Sequence, residues 1–259
     1  MLLTLDVGNT EITVGLFQGT DLSGHWRLTT NPDRTPDEWG TALGVFLLHA
    51  GHSPNEIRAG VIGSVAPGVT QSLVEAVQAL TGSPVTVVDA TSPLPIRLDV
   101  DEPLSVGADR IINTLAAVER YRADTVVVDF GTATTFDCIT ADGRFIGGVI
   151  MPGLRTSADH LTRRAAKLPA TELRPPERVI GRRTEECIRA GVLLGAADAV
   201  DGLVRRIVAE WPTPTRPRIV ATGGLAGTIV PLTRSIDLVD PDLTLHGLRI
   251  AAGHLGVRW

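Results

Sequence analysis

"LTLDVGNTEITVGLF", Leu3 to Phe17, has a counterpart in "VVVDFGTATTFDCIT", Val126 to Thr140. In each stretch an apolar strand ends in an acid (Asp6, Asp129), Gly follows two positions on (Gly8, Gly131), small hydroxyl or amide residues come next, and a second strand begins. Glycine lets the backbone turn tightly with its N–H groups exposed. Asn9, Thr10, Thr132, Thr134 and Thr135 can add side-chain donors, so each turn can wrap phosphate oxygens as a backbone nest does. A carboxylate at the strand end would repel a bare phosphate. It makes sense if a hard cation, Mg²⁺ or a monovalent ion, lies between them. One Asp-x-Gly alone is ordinary turn chemistry; two copies in equivalent places point to one polyphosphate held by two hairpins.

Working outward, the first half starts with strand-like runs at Leu2 to Asp6, Ile12 to Gln18 and Gly24 to Thr29. Thr35-Pro36-Asp37-Glu38 has the form of a capping box, predicting a helix to Ala50. A strand (Ala59 to Val65), a helix (Gly68 to Thr81), a strand (Pro84 to Val88), a Pro-rich loop (Thr91 to Pro103) and a helix (Val106 to Arg122) follow. The order then restarts with strands Thr125 to Asp129, Thr134 to Thr140 and Arg144 to Ile150 and a helix from Leu154 to Lys167. A long helix from Thr184 to Glu210, strands Arg218 to Ala221 and Ile236 to Val239, and a last helix Leu243 to Leu255 complete the chain. Three strands in a meander, continuing into strands that alternate with helices, give an α/β fold with a mixed sheet flanked by helices, the ribonuclease-H-like layout. Two tandem copies are expected, residues 1–117 and 118–259, the second with the larger helical part. Such a pair resembles the superfamily of acetate and sugar kinases, heat-shock ATPases and actin, which implies a nucleotide cleft between the two domains.

Bulk properties narrow the partners. A chain of 259 residues with a net charge of -5 and no run of like charge carries no footprint for nucleic acid or anionic membrane, so a small molecule is the expected partner. No apolar stretch approaches the ~20 residues of a membrane span, and the chain reads as cytoplasmic. Cys138 and Cys187 lie outside any C-x-x-C spacing and read as core fillers. Lys167, the sole lysine, follows Ala166, which excludes a G-x-x-x-x-G-K-[ST] loop, and no G-x-G-x-x-G follows a strand.

Gly107-Ala108-Asp109-Arg110 opens a helix after the Pro-rich loop. Asp109 can complement the helix N-terminus with Arg110 as a surface partner. An acid and a guanidinium side by side also suit a hydroxyl acceptor bearing a carboxylate, Asp taking the hydroxyl proton and Arg holding the anion.

At this point the whole chain resembles the type III pantothenate kinases. The carrying blocks are "DVGNT" (Asp6 to Thr10), "GADRI" (Gly107 to Ile111), "VVDFGTATTFD" (Val127 to Asp137), "GGVIMPGL" (Gly147 to Leu154), "GRRT" (Gly181 to Thr184) and "ATGG" (Ala221 to Gly224). The resemblance implies ATP-dependent phosphorylation of pantothenate to 4′-phosphopantothenate, a homodimer, Mg²⁺, and a monovalent cation, K⁺ or NH4⁺. It implies that Asp6, Val7, Gly8, Asn9, Thr10, Glu11, Ile12 and Thr13 form the first ATP hairpin, with Asp6 directed at Mg²⁺. By the same likeness Asp129 holds the monovalent cation, Thr132 binds ATP phosphate and Asp109 is the proton acceptor. Gly107, Ala108 and Arg110 line the pantothenate pocket, and Thr184 reaches pantothenate across the dimer interface, while also suiting an N-cap of the long helix. Many members place Tyr seven residues before the "GADR" glycine, where this chain has Val100. Two other readings stay open: a non-catalytic nucleotide-dependent regulator, and a kinase for another small hydroxy acid. Val192, Leu193, Ala196 and Ala199 on the long helix suit core or interface.

Overall fold

The computed structural model describes residues 1–259, which divide into a first unit, Met1–Arg120 with Leu243–Trp259, and a second, Tyr121–Asp242. In the first unit β1 (Leu2–Val7), β2 (Glu11–Gln18) and β3 (Asp21–Thr29) form an antiparallel meander. Helix α1 (Pro36–His49), β4 (Ala59–Ser64), α2 (Pro67–Thr81), β5 (Val85–Val88), the two-residue β6 (Arg97–Leu98) and α3 (Ala108–Tyr121) follow. The sheet order is β3-β2-β1-β4-β5, with β4 parallel to both β1 and β5. The capping box forms: Glu38 N–H donates to Thr35 Oγ1 at 3.3 Å and Thr35 N–H to Glu38 Oε2 at 2.8 Å.

Both faces of this sheet are covered, which is why β1 and β4 read as nearly continuous apolar runs rather than alternating ones. Leu3, Leu5, Val7, Ile12, Val14 and Leu16 pack on α1 and α2 through Trp39, Leu43, Leu47, Leu73 and Val77. Leu2, Phe17, Ala59 and Val61 pack on the other face, against Ile112 and Leu115 of α3 and Leu245 and Leu248 of α7 (Leu243–His254). Thus α7 lies in the first unit, whereas the sequence reading put it in the second. The reason is local: glycines in β2 and β4 leave room for it. A Cβ at Gly15 would stand 3.1 Å from Leu245 Cδ1, and one at Gly63 would stand 3.2 Å from Leu248 Cδ2.

The second unit repeats the plan with β7 (Thr125–Phe130), β8 (Ala133–Ile139), β9 (Arg144–Pro152), α4 (Leu154–Arg164), α5 (Thr184–Ala209), β10 (Arg218–Thr222), the short α6 (Ala226–Ile229) and β11 (Leu238–Val239). Its strands run β11-β10-β7-β8-β9, the first unit's order with each strand replaced by its counterpart. Leu193, Ala197, Val200 and Val204 of α5 cover one face, against Val126, Val128, Phe130, Phe136, Ile219 and Ala221. Helix α4 stops three residues earlier than its sequence predicts, and α6 occupies what reads as a Gly-rich turn. No helix is long and apolar enough to cross a membrane.

Candidate active site

The first hairpin is tightly built. Asp6 pairs with Thr13 and Val7 with Ile12, and Gly8 N–H donates to the Glu11 carbonyl at 3.0 Å, leaving Asn9 and Thr10 exposed at the tip. A Cβ at Gly8 would lie 2.9 Å from that carbonyl oxygen, so any side chain would pry the hairpin open. Thr30 ties the tip from one side: its Oγ1 donates to the Gly8 carbonyl at 2.7 Å and its N–H to the Thr10 carbonyl at 2.9 Å. A trans peptide points its N–H opposite to its C=O, so the amides of Asn9 and Glu11 are aimed away from Thr30. The side chains of Val7 and Ile12 are fully buried, and these two residues can serve a ligand only through their backbones. Asp6, Thr13 and Arg27 form one cross-strand row, with Arg27 Nε 3.4 Å from Glu11 Oε1.

Helix α3 begins at the same end of that sheet. Val65 N–H donates to the Val7 carbonyl at 3.0 Å, and a Cβ at Gly107 would stand 3.2 Å from Val65 Cγ1. One turn on, Ile112 Cδ1 fills the place a Cβ on Gly63 would need, and Gly63 is the parallel partner of Asp6. Asp6 and Asp109 therefore belong to one sheet end. Asp109 Oδ1 accepts from Arg110 N–H at 2.8 Å and folds back over Gly107, where a Cβ would be 2.5 Å away. The helix-terminal role and a position at the site coexist in this residue. Burial raises the Asp109 carboxyl above the ordinary carboxylate range; the Arg110 N–H and guanidinium pull the other way and do not cancel it. Ala108 is buried and can offer only its backbone.

In the second hairpin Asp129 pairs with Thr135 and Phe130 with Thr134, and Gly131 N–H donates to the Ala133 carbonyl at 3.0 Å. Only Thr132 stands between that closing pair, so this tip is one residue shorter than the first. Thr132 is exposed, whereas Thr134 is buried and cannot be the outward donor its sequence position suggests. The Thr132 carbonyl accepts from Gly153 N–H at 3.1 Å and from Thr156 Oγ1 at 2.7 Å, both at the start of α4. Gly153 is needed there, since a Cβ would collide with the Gly131 and Thr132 carbonyls. Gly223, at φ +90, packs its backbone on Asp129, whose Oδ1 occupies the place a Cβ would take.

Thr184 is the first residue of α5; Arg183, not Thr184, holds the N-cap position. Its exposed side chain lines an apolar groove of about 870 Å³ between α4 and α5, along with Met151, Thr156, Leu161, Ile188 and Val192. Cys187 also lines it and is exposed, so only Cys138 fills core. Of the α5 residues left open between core and interface, Leu193 is core, Val192 and Ala196 pack on that core while also lining the groove, and Ala199 is half-buried.

No three His, Cys, Asp or Glu side chains gather as a metal cluster. Mg²⁺ that keeps its waters and bridges phosphates needs only one or two carboxylates, and Asp6 at the hairpin root is such a donor. The Asp129 carboxylate lies against bare glycine backbone at Gly223. Thr30 and Thr156 are not legible as site residues in the sequence, whereas Gly153 falls in the "GGVIMPGL" block; Thr30 directly follows β3, and Gly153 and Thr156 lie one and four residues beyond β9.

A family model described as type III pantothenate kinase matches residues 2–206. The type III pantothenate kinase of Thermomicrobium roseum is 46% identical over 251 residues, 97% of this chain and 96% of its own. Among solved structures, component A of (R)-2-hydroxyglutaryl-CoA dehydratase from Acidaminococcus fermentans matches with a TM-score of 0.55 and 12% identity, over 98% of this chain and 96% of that one. The ROK hexokinase of Thermus thermophilus matches with 0.52 and 16%, over 98% of each chain. At those identities the two structures establish the fold alone, and that fold is the paired ribonuclease-H-like one read from the element order.

Proposed function

Because the chain belongs to the type III pantothenate kinase family, and so phosphorylates pantothenate with ATP on the way to coenzyme A, we propose how its residues divide that reaction. The observation that carries the division is Asp109, held above the ordinary carboxylate range at the sheet end that also bears the Asp6 hairpin.

Asp109 is the proton acceptor for the pantothenate primary hydroxyl. Phosphoryl transfer passes mostly through a loose transition state, so the base chiefly orients the hydroxyl and takes its proton as the new bond forms. Arg110 grips the pantothenate carboxylate with its planar fork, and Gly107 and Ala108 form the backbone floor beside it. The Asn9 and Glu11 amides, with the Thr10 hydroxyl, donate to ATP phosphate oxygens, and Thr132 does so from the second hairpin. Asp6 would be the protein's donor toward Mg²⁺, which would supply charge neutralisation at the transferred phosphate. Asp129 would hold a monovalent cation, K⁺ or NH4⁺.

The enzyme works as a homodimer, with Thr184 reaching pantothenate at the interface. Supporting this are the open apolar groove that Thr184 lines and, in the same unit, the large apolar side chains left in water, Ile150 at 63% and Ile180 at 83% exposure. A monomeric mass in sedimentation at micromolar protein would overturn the dimer.

Asp109→Asn tests the assignment of the base. A kcat loss on the order of 10²-fold or more is expected, with ATP binding intact. A kcat near wild type removes Asp109 from the role.

A further inference from the structure

We propose that Thr30 and Thr156 are positioning residues, one per half, that lock the peptide planes of the two phosphate loops so that their amides face the nucleotide before it arrives. The inference rests on the reading of both loops as ATP-phosphate sites.

The two clamps share a hydroxyl donor and a backbone N–H donor, though in the first half they tie two carbonyls, Gly8 and Thr10, and in the second both tie that of Thr132. Thr30 Oγ1 donates to the Gly8 carbonyl and Thr156 Oγ1 to the Thr132 carbonyl, each at 2.7 Å. A backbone N–H adds a second tie in each half, Thr30 to the Thr10 carbonyl at 2.9 Å and Gly153 to the Thr132 carbonyl at 3.1 Å. Both clamps come from the chain just beyond the third strand of their meander, β3 in one unit and β9 in the other. Yet the local structure differs: Thr30 follows a strand directly, whereas Thr156 sits in the first turn of α4. A hydroxyl tie and an N–H tie to each tip are thus reached by two different backbone paths.

Electrostatics says why the carbonyls need tying. A peptide that flips at the tip would present its C=O, not its N–H, to an anion, turning attraction into repulsion. Asn9, Thr10, Gly131 and Thr132 are exposed, and Gly8 and Gly131 lend the loops the freedom to flip. Hydrogen bonds to the tip carbonyls restrain that freedom. Binding is then spared the cost of ordering them. The behaviour of Thr156 sharpens the point. Thr41, Thr70, Thr81, Thr114 and Thr162, also in helices, each donate back to the carbonyl four residues earlier in the chain. Thr156 instead reaches across 24 residues to the loop.

The test is steady-state kinetics and calorimetric ATP binding on the full-length enzyme carrying Thr30→Val, Thr156→Val or the matching Ser variants. Valine keeps the volume and removes the hydroxyl; serine keeps the hydroxyl. A rise of about tenfold in KM and Kd for ATP is expected for each Val variant, with KM for pantothenate and the melting midpoint near wild type, and with Ser restoring ATP affinity. ATP affinity within twofold of wild type in both Val variants overturns the proposal, and so does an equal loss for both substrates that tracks a lowered midpoint. Should half-buried Thr30→Val fold poorly, exposed Thr156→Val decides alone. Thr10→Ala and Thr132→Ala separate the two layers: if they weaken ATP binding while the Val variants do not, the clamps fail and the loops stand. If none of the four changes ATP binding, the phosphate-loop reading fails and the clamps go with it.

Discussion

Asp109 shows two demands meeting in one side chain. Its Oδ1 accepts the Arg110 N–H at 2.8 Å, a bond that an Asn can keep, while burial disfavours the charge an Asn lacks. A folded-state pKa above the unfolded value means that the folded protein binds the extra proton. The group therefore costs stability as pH rises from the unfolded carboxylate range, near 3.9, through the raised folded value, and the full cost is present once the pH exceeds that value. Asp109→Asn should accordingly melt at pH 7 no lower than wild type while losing kcat, a split that thermal melts beside kinetics would show. The same shift sets the pH profile. The carboxylate is the active form, so kcat/KM rises with pH through the raised value of the free enzyme, and its acid limb should stand above the position of an ordinary carboxylate. A limb at or below that position would mean that Asp109 is not the group being titrated.

At the scale of elements, each glycine that counts marks a close approach. Gly223 ends β10 in a left-handed turn, and its missing side chain makes room for the Asp129 carboxylate. In Gly223→Ala the methyl group both strains the backbone and displaces that carboxylate. Activation by potassium should be blunted as in Asp129→Asn, measured as activity against K⁺ concentration at fixed ionic strength; an unchanged response places the cation elsewhere. The hairpins, the Thr35 capping box and the long α5 were legible from short-range pattern, since their bonds join residues a few positions apart. Thr30 and Thr156 were not, because their partners lie 22 and 24 residues away and nothing in a hydroxyl's own neighbourhood names a distant carbonyl. The N-cap of α5 slipped by one residue for a related reason: Arg183 and Thr184 both stand at an exposed turn, and backbone angles rather than side-chain preference chose between them.

For the molecule as a whole, the repeat of one strand order in two units is the dominant fact, and the return of α7 to the first unit is the exception to it. Gly247 holds that return together: a Cβ there would lie 2.5 Å from the Ile112 carbonyl oxygen and 3.2 Å from Ala116 Cβ, both on α3. Helix propensity alone makes Gly→Ala stabilising by about 1 kcal/mol. Close packing predicts the opposite sign, a loss of about 1–3 kcal/mol for Gly247→Ala, because the obstacle is backbone and cannot swing aside. Chemical denaturation reads the sign directly, and a stabilised variant would mean that α7 is only loosely seated. The helix it presses against is the one that starts with Asp109, so kcat should fall alongside.

The sequence by itself determined the strand and helix order, the duplicated plan, both Asp-x-Gly hairpins and the "GADRI" helix start, because each is written in spacing of 2 to 4 residues or in turn chemistry that acts locally. Tertiary structure alone decided that α7 crosses back to the first sheet, that Asp109 hangs at the sheet end bearing Asp6, and that two threonines hold the loops. Those outcomes depend on volume left by glycines and on bonds across long stretches of chain, and neither quantity exists until the backbone has folded on itself.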